Sequence, residues 1–243
     1  MRAARSEVAT RRAAVEGASV RARWAIVAVL VAAVVGAISD AGETGRTLAL
    51  GPVGEGRIAH ELTVGAASQF TWVAAGASFL VWLHRAVSNS TLLGVPPKWG
   101  PWQAVLAYVV PVVSIVLPYY VMKALLRASD PSALEDAPLF RERAEANYRE
   151  GARELVAAPR WSFPAPILAW WILFDSRTVA AMVVSAGGAL PARGACTSCE
   201  LAVAASSELA AGVLCVLVVR SIDARQRERC RRLEAIEDPG VAP

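Results

Sequence analysis

The sequence predicts an all-α fold: a multi-span helical membrane protein with four transmembrane helices and one proline-broken segment that is re-entrant or interfacial. Three observations support this. Hydrophobic residues make up 55% of the 243 residues and charged residues only 19%, an apolar excess that a lipid-facing surface explains. The charges are segregated, with arginines gathered near both ends of the chain. Long apolar stretches, almost free of charge, lie between them.

Four of these apolar stretches are long enough to be considered as spanning helices: Trp24 to Ile38, Thr63 to Leu83, Ala165 to Ala186 and Leu201 to Val219. The first is short and resembles the core of a secretory signal. However, the 23 residues before it carry six arginines, which favours an uncleaved anchor.

A fifth apolar stretch, Pro101 to Leu126, contains Pro111 and Pro118. Each proline removes a backbone donor and clashes with the preceding turn, so a straight helix is disfavoured. If the stretch returns to the side it entered from, 21 basic residues lie on one side of the membrane and three on the other. A full crossing gives at best 15 against nine. Positive charge resists translocation, so the re-entrant arrangement is favoured and a five-span bundle is the alternative.

This topology predicts a multi-pass protein of the bacterial inner (plasma) membrane with both termini cytoplasmic. Residues 1–23 form a basic cytoplasmic segment, and residues 24–222 form the helical membrane domain. That domain includes a charged cytoplasmic helical region at 127–164. Residues 223–243 form a basic cytoplasmic tail, and we expect residues 220–232 to continue the last span as a helix attracted to anionic lipid head groups.

Three charged residues fall inside predicted spans: Asp175, Arg177 and Glu208. A charge at the centre of a bilayer costs about 2.5 to 3.5 kcal/mol on insertion scales, so such residues are usually paired or face a cavity. The cluster is either part of an ion or proton path or an internal salt bridge that fixes helix packing. Counted along the helices, Arg177 and Glu208 lie at similar depths, which favours their pairing.

The cysteines and histidines indicate no metal or cofactor site. Cys196 and Cys199 are either two free thiols in a surface loop or a redox-sensitive pair, and the two histidines offer no ligand spacing. No phosphate loop, nucleophile elbow or zinc-protease motif is present, so we expect no enzyme activity. The basic residues show no pattern that reads nucleic acid.

Several motifs resemble one bacterial membrane family. They are the run from Phe79 to Asn89, Pro111 with the run from Pro118 to Pro131, Trp170-Trp171, and the run from Arg220 to Gln226. Over residues 70 to 229 the chain resembles the family catalogued as domain of unknown function 4328. This resemblance implies a membrane protein of uncharacterised activity and transfers no catalytic residue.

Two functions remain as hypotheses. The first is a non-catalytic scaffold or regulatory protein whose charged region, Arg127 to Pro164, binds a cytoplasmic protein partner or a second copy of the chain. The alternative is a small transporter or channel component that uses the intramembrane polar cluster and the proline-broken segment.

Overall fold

A computed structural model of the chain describes residues 2–49, 55–95, 97–110, 113–131, 167–170, 172–173 and 197–237. Every regular element within these ranges is helical, which confirms the all-α class for the described part of the chain. The helices are α1 Arg2–Ala49, α2 Glu55–Leu92, α3 Pro101–Val109, α4 Leu117–Ala128 and α5 Thr197–Glu237, with a 3-10 helix at Val113–Ile115. Residues 167–170 are also helical.

The chain divides into two compact units, each assembled from separate stretches. The first unit comprises Met1–Ala22, Val81–Pro164 and Val219–Pro243, and the second comprises Arg23–Leu80 and Ala165–Val218. The expected helical continuation into the basic tail is confirmed, because α5 runs without interruption through residues 220–232.

Two helical segments in the described part of the chain are long and apolar enough to cross a membrane. They are Val8–Ser39, which contains the first predicted span, and Gly65–Leu92, which overlaps the second. The predicted span Ala165 to Ala186 lies mostly outside the described residues, and the stretch Leu201 to Val219 forms part of α5. Length and composition therefore identify two candidate spans.

In the second unit, α1 buries small residues and exposes large apolar ones. The buried stripe consists of Ala25, Val29, Ala32, Ala33 and Gly36. The exposed stripe consists of Trp24, Val27, Leu30, Val31, Val34 and Ile38. Spacings of mostly three or four residues place each set on its own face of the helix. Soluble proteins tend to do the opposite, since they bury large aliphatic residues most often.

In the first unit, α2 ends in a glycine turn. Gly94 has a φ of 82°, a left-handed conformation that favours glycine. The N–H of Val95 donates to the carbonyl of Ser90, and the N–H of Gly94 donates to that of Thr91, both at 3.1 Å. These two bonds form a Schellman motif, which satisfies carbonyls at the helix end and reverses the chain toward α3.

The proline-containing segment forms two short helices that contact each other. α3 has nine residues and α4 has 12, so they are about 14 Å and 18 Å long, and neither alone reaches across a hydrocarbon core of about 30 Å. Pro118 lies in the first turn of α4, where its missing N–H breaks no helical bond. Pro111 lies outside the described residues.

Both ends of this helical pair lie along the last turns of α2. Near the start of α3, the ring of Trp102 meets the ring of His84 edge-on, with centroids 4.7 Å apart. Just after α4, the hydroxyl of Ser129 accepts from the side-chain amide of Gln226, and the same amide donates to the hydroxyl of Ser90 on α2. The segment therefore begins and ends beside residues 84–93.

Candidate functional site

The candidate site is a cluster of buried polar side chains in the first unit, built on the end of α5. One face of α5 is buried there, at a spacing of three or four residues that a helix brings into line. This face consists of Val219, Ile222, Gln226, Arg229, Cys230 and Leu233. Its two large polar members, Gln226 and Arg229, need hydrogen-bond partners because burying a polar group without one is costly.

Arg229 is fully buried and binds the ends of two helices. Its Nε donates to the carbonyl of Leu93 at 3.0 Å, directly after α2. Its Nη1 donates to the carbonyl of Ala128 at 2.6 Å and to that of Asp130 at 3.2 Å, at the end of α4. Helix C-termini carry unsatisfied carbonyls and partial negative charge, so one guanidinium stabilises both ends. Nη2 has no hydrogen-bond partner among the described residues.

Arg229 keeps its positive charge although it is buried. Desolvation lowers the pKa of Arg229 to about 10, and the carboxylate of Asp130 acts in the opposite direction. The guanidinium is therefore protonated at neutral pH. Arg225 adds a second cation at the same place, since its Nη1 lies 3.7 Å from the carboxylate of Asp130 and 3.4 Å from the carbonyl of Leu126.

Gln226 lies one helical turn before Arg229 and also joins α2 to the end of α4. Its Nε2 lies 2.8 Å from the carbonyl of Ala86, 3.1 Å from the hydroxyl of Ser90 and 3.3 Å from that of Ser129. A primary amide carries two N–H donors for these three acceptors. The amide therefore holds α5, the last turns of α2 and the end of α4 at fixed distances from one another.

The start of α1 is bound to the same cluster. The hydroxyl of Ser19 donates to the carboxylate of Asp223 at 2.7 Å, and the amide of Asn89 donates to the carbonyl of Ala14 at 3.1 Å. An apolar cluster fills the space beside these bonds: Val15, Leu93, Cys230 and Leu233. We call Asn89, Asp223, Gln226 and Arg229 the polar clamp. Chemically, its amide and guanidinium donors are directed mainly at backbone carbonyls, which suits the clamp to holding helix ends in place.

A second notable residue, Glu208, lies in the second unit. It is buried on α5, and a Cβ added at Gly36 of α1 would overlap its carboxylate. Four residues further along α5, a Cβ added at Gly212 would lie 2.8 Å from the Cβ of Ala33. Small residues on both helices thus allow α1 and α5 to approach closely, as is common between membrane helices.

The other residues singled out from the sequence lie largely outside the described part of the chain. This holds for Asp175, Arg177, Pro111 and Cys196, and Cys199 is described only as backbone in the first turn of α5. The Arg177–Glu208 pair and the Cys196–Cys199 redox pair therefore stay predictions. The described residues contain no group of three side chains suited to holding a metal ion.

Sequence reasoning missed Gln226 and Arg229, because the arginines of residues 220–232 predict a basic helix attracted to anionic lipid head groups. Arg229 instead lies inside the protein, fully buried. A signal was present: Gln226 and Arg229 occur at helical spacing between the apolar residues Ile222 and Leu233. A polar side chain on an apolar face indicates a buried hydrogen-bonding role.

Comparison with known proteins gives one match. No curated protein and no solved structure matches the chain. The family model described as Domain of unknown function (DUF4328) matches residues 55–224, from the start of α2 to within the buried face of α5. The match covers well over half of the sequence, and the chain therefore belongs to the DUF4328 family.

Proposed function

We propose that this chain is a multi-pass protein of a bacterial inner membrane that acts as a non-catalytic scaffold or regulatory protein. The observation that carries the membrane assignment is the packing of α1, which exposes a stripe of large apolar side chains from Trp24 to Ile38. Exposing apolar surface to water costs about 25 cal/mol per Å², so contact of this stripe with lipid is favourable. The buried stripe of small residues supports the same assignment.

The proposed topology has four crossings, both termini in the cytoplasm, and α3 and α4 as a re-entrant pair. Two observations support the re-entrant pair. Its ends lie beside the same turns of α2, at His84 and Ser90. Returning to the same side also keeps 21 basic residues in the cytoplasm, as the distribution of positive charge favours.

Single-cysteine labelling tests this topology. In a cysteine-free background, a cysteine at Ala146 should resist an impermeant thiol reagent added to intact cells, whereas a cysteine at Val53 should react. Both should react after the membrane is opened, which controls for burial. Labelling of the Ala146 position from outside would overturn the re-entrant arrangement.

The scaffold function is supported by Arg229 of the polar clamp and by the neighbouring Arg225. Arg229 binds the carbonyls of Ala128 and Asp130, at the start of the charged region Arg127 to Pro164, and Arg225 binds the carbonyl of Leu126 just before it. A partner-binding region gains affinity when its point of attachment is rigid, because less conformational freedom is lost on binding. The clamp would provide that rigid attachment.

Crosslinking with mass spectrometry in native membranes tests the scaffold proposal. We expect one protein, or a second copy of this chain, to crosslink in stoichiometric amounts to residues 127–164. Reversing charge at Arg141, Arg143 and Arg149 should abolish the crosslink, and the same reversal at Arg11 and Arg12 should leave it intact. A chain that crosslinks to nothing in this region would contradict the proposal.

The second candidate, a transporter or channel component, is favoured by Glu208. A buried carboxylate at a close helix contact is a typical element of an ion path. Ion flux through vesicles that contain the purified chain would support it, provided that Glu208→Gln abolishes the flux. Vesicles that stay impermeable would remove this candidate.

A further inference from the structure

Gln69 is a polar residue on the surface of the second candidate span, Gly65–Leu92. Residues 63–83 contain no charged side chain, and Gln69 is the one amide among them. Its side chain is exposed, as are the nearby Phe70 and Val73, which are 74% and 69% exposed. In the proposed membrane placement this apolar surface faces lipid, so the amide faces lipid as well.

Two hydroxyl side chains nearby on α2 differ from Gln69, because they are satisfied within their own helix. The hydroxyl of Thr71 donates to the carbonyl of Ser68, and that of Ser78 donates to the carbonyl of Ala74, both at 2.8 Å. Gln69 forms no hydrogen bond with any described residue. A polar group in hydrocarbon is costly without a partner, since no water is present there to bind it. Because the side chain is exposed, a partner from outside the chain can reach it.

The position of Gln69 within the predicted span Thr63 to Leu83 places its amide in the hydrocarbon layer. Gln69 follows Thr63 by six residues and precedes Leu83 by 14, so it lies about 9 Å from one end of the span and about 21 Å from the other. Lysine and arginine reach the interface from such depths on long stems, whereas glutamine has a shorter one. Another protein helix is therefore the available source of hydrogen-bonding groups.

One exposed face of α2 carries Gln69. Ala66, Gln69, Val73 and Ala77 are all exposed and follow one another at spacings of three or four residues, which a helix brings into line. The alanines at two of these positions allow another helix to approach closely. We call these four residues the Gln69 face.

A second copy of this chain matches the Gln69 face in both chemistry and depth. An amide carries N–H donors and a carbonyl acceptor, so two glutamines can donate to each other. Copies inserted with the same topology hold Gln69 at the same depth, and a two-fold axis along the membrane normal brings the same face of both copies together. The helix of a different protein would need its own polar side chain at this depth.

We propose that two copies of this chain pair inside the bilayer through the Gln69 face, with their Gln69 amides hydrogen-bonded to each other. The inference rests on the proposed membrane placement, because in water the exposed amide is already hydrated. It does not depend on the charged region Arg127 to Pro164, so the two interaction surfaces can be tested separately.

Disulfide crosslinking in native membranes tests which face pairs. In a cysteine-free background of the full chain, Val73→Cys should give a disulfide-linked dimer when copper–phenanthroline is added as oxidant. The matched control is Ala74→Cys, at an exposed position of the same helix that is rotated by about 100° from Val73, and it should give much less dimer. Equal crosslinking of the two variants, or of neither, would overturn the inference.

The dissociation constant of the dimer tests the role of the amide. The purified full chain is labelled with donor and acceptor dyes and diluted into phosphatidylcholine vesicles, where energy transfer reports pairing. Gln69→Leu should raise the dissociation constant about five- to thirtyfold, as expected for the loss of an interhelical hydrogen bond. Gln69→Asn keeps an amide and should recover part of this loss. Ala74→Leu, the matched control, adds apolar bulk beside the Gln69 face and should leave the dissociation constant unchanged.

The substitutions at Gln69 and Ala74 are at exposed positions, so the fold of the single chain should tolerate them. A wild type that stays monomeric at high density in the vesicles, or a Gln69→Leu variant that pairs as tightly as the wild type, would contradict the inference. Resistance of the chain to carbonate extraction reports membrane placement separately, so failure of the two proposals can be told apart.

Discussion

At Arg229 the shape of the side chain matters as much as its charge. A guanidinium presents five N–H donors in a planar fork, so it reaches acceptors in different directions at once. Here Nε and Nη1 reach the carbonyls that follow two separate helices. A lysine carries the same charge on one nitrogen and cannot occupy both positions.

We therefore expect Arg229→Met to destabilise the first unit by about 3 kcal/mol, because several buried carbonyls lose their donor. The thermal midpoint in detergent should fall by about 10 °C. Arg229→Lys should recover only part of the loss. The matched control is Arg231→Met on the same helix, whose side chain is 76% exposed and should change stability by about 0.5 kcal/mol or less. Similar midpoints for Arg229→Met and Arg231→Met would show that the clamp contributes nothing.

Cys230, the next residue, gives a prediction about pH. Burial, with help from Glu234, raises the pKa of the Cys230 thiol from 9.0 to about 11. Burial favours the neutral thiol over the thiolate. Protonated Cys230 therefore contributes fully to folding stability below pH 9, and this contribution is lost as the pH rises through about 11. At pH 8 the fraction of Cys230 present as thiolate is about 100-fold lower in the folded chain than in the unfolded chain.

In a variant that keeps only Cys230, maleimide labelling at pH 8 should therefore be at least about 100-fold slower in the folded protein than in denaturant. Burial of the sulfur slows it further. Equal rates in both states would mean that this part of α5 is open to solvent.

At the scale of the helices, the sequence predicts the position of apolar elements better than their partners. Length and hydropathy locate the first two candidate spans, because a bilayer imposes about 20 apolar residues on any crossing helix. The two prolines indicate a break in the next segment for an equally local reason. The partners of Arg229 are backbone carbonyls 99 to 136 residues away along the chain, and every residue type has a backbone carbonyl, so the sequence does not show which ones this arginine binds.

The close contact of α1 with α5 can be tested with glycines. Gly212→Ala places a methyl group 2.8 Å from the methyl of Ala33, so the helices must separate, and we expect a loss of about 1 to 3 kcal/mol. Gly76→Ala is the matched control, because a Cβ there meets open space and alanine favours helix by up to about 1 kcal/mol. The two changes should thus shift the thermal midpoint in opposite directions. A rise in the midpoint for Gly212→Ala would exclude a tight contact at this position.

At the scale of the whole molecule, the exposed face of α1 allows a test of whether a bilayer or water surrounds this helix. Val31, 47% exposed, lies in the middle of the exposed apolar stripe. In lipid, Val31→Lys should cost about 2.5 to 3.5 kcal/mol and reduce the amount of membrane-integrated protein. In water the same change would be tolerated. Ala9→Lys, at an exposed position near the start of α1, is the control and should have no effect on yield. Full integration of Val31→Lys would argue against a lipid-facing stripe.

Arg229 also sets an order for the assembly of the protein. It follows Ala128 by 101 residues and Leu93 by 136, so the ribosome completes α2 and α4 long before it adds this arginine. Until then, the carbonyls at both helix ends lack the donor that joins them. Shortened chains that stop just before residue 229 would lack this donor and would keep the bonds of Gln226 to α2 and to Ser129. The bonds that Arg229 forms in the first unit can therefore form only after synthesis has reached this residue.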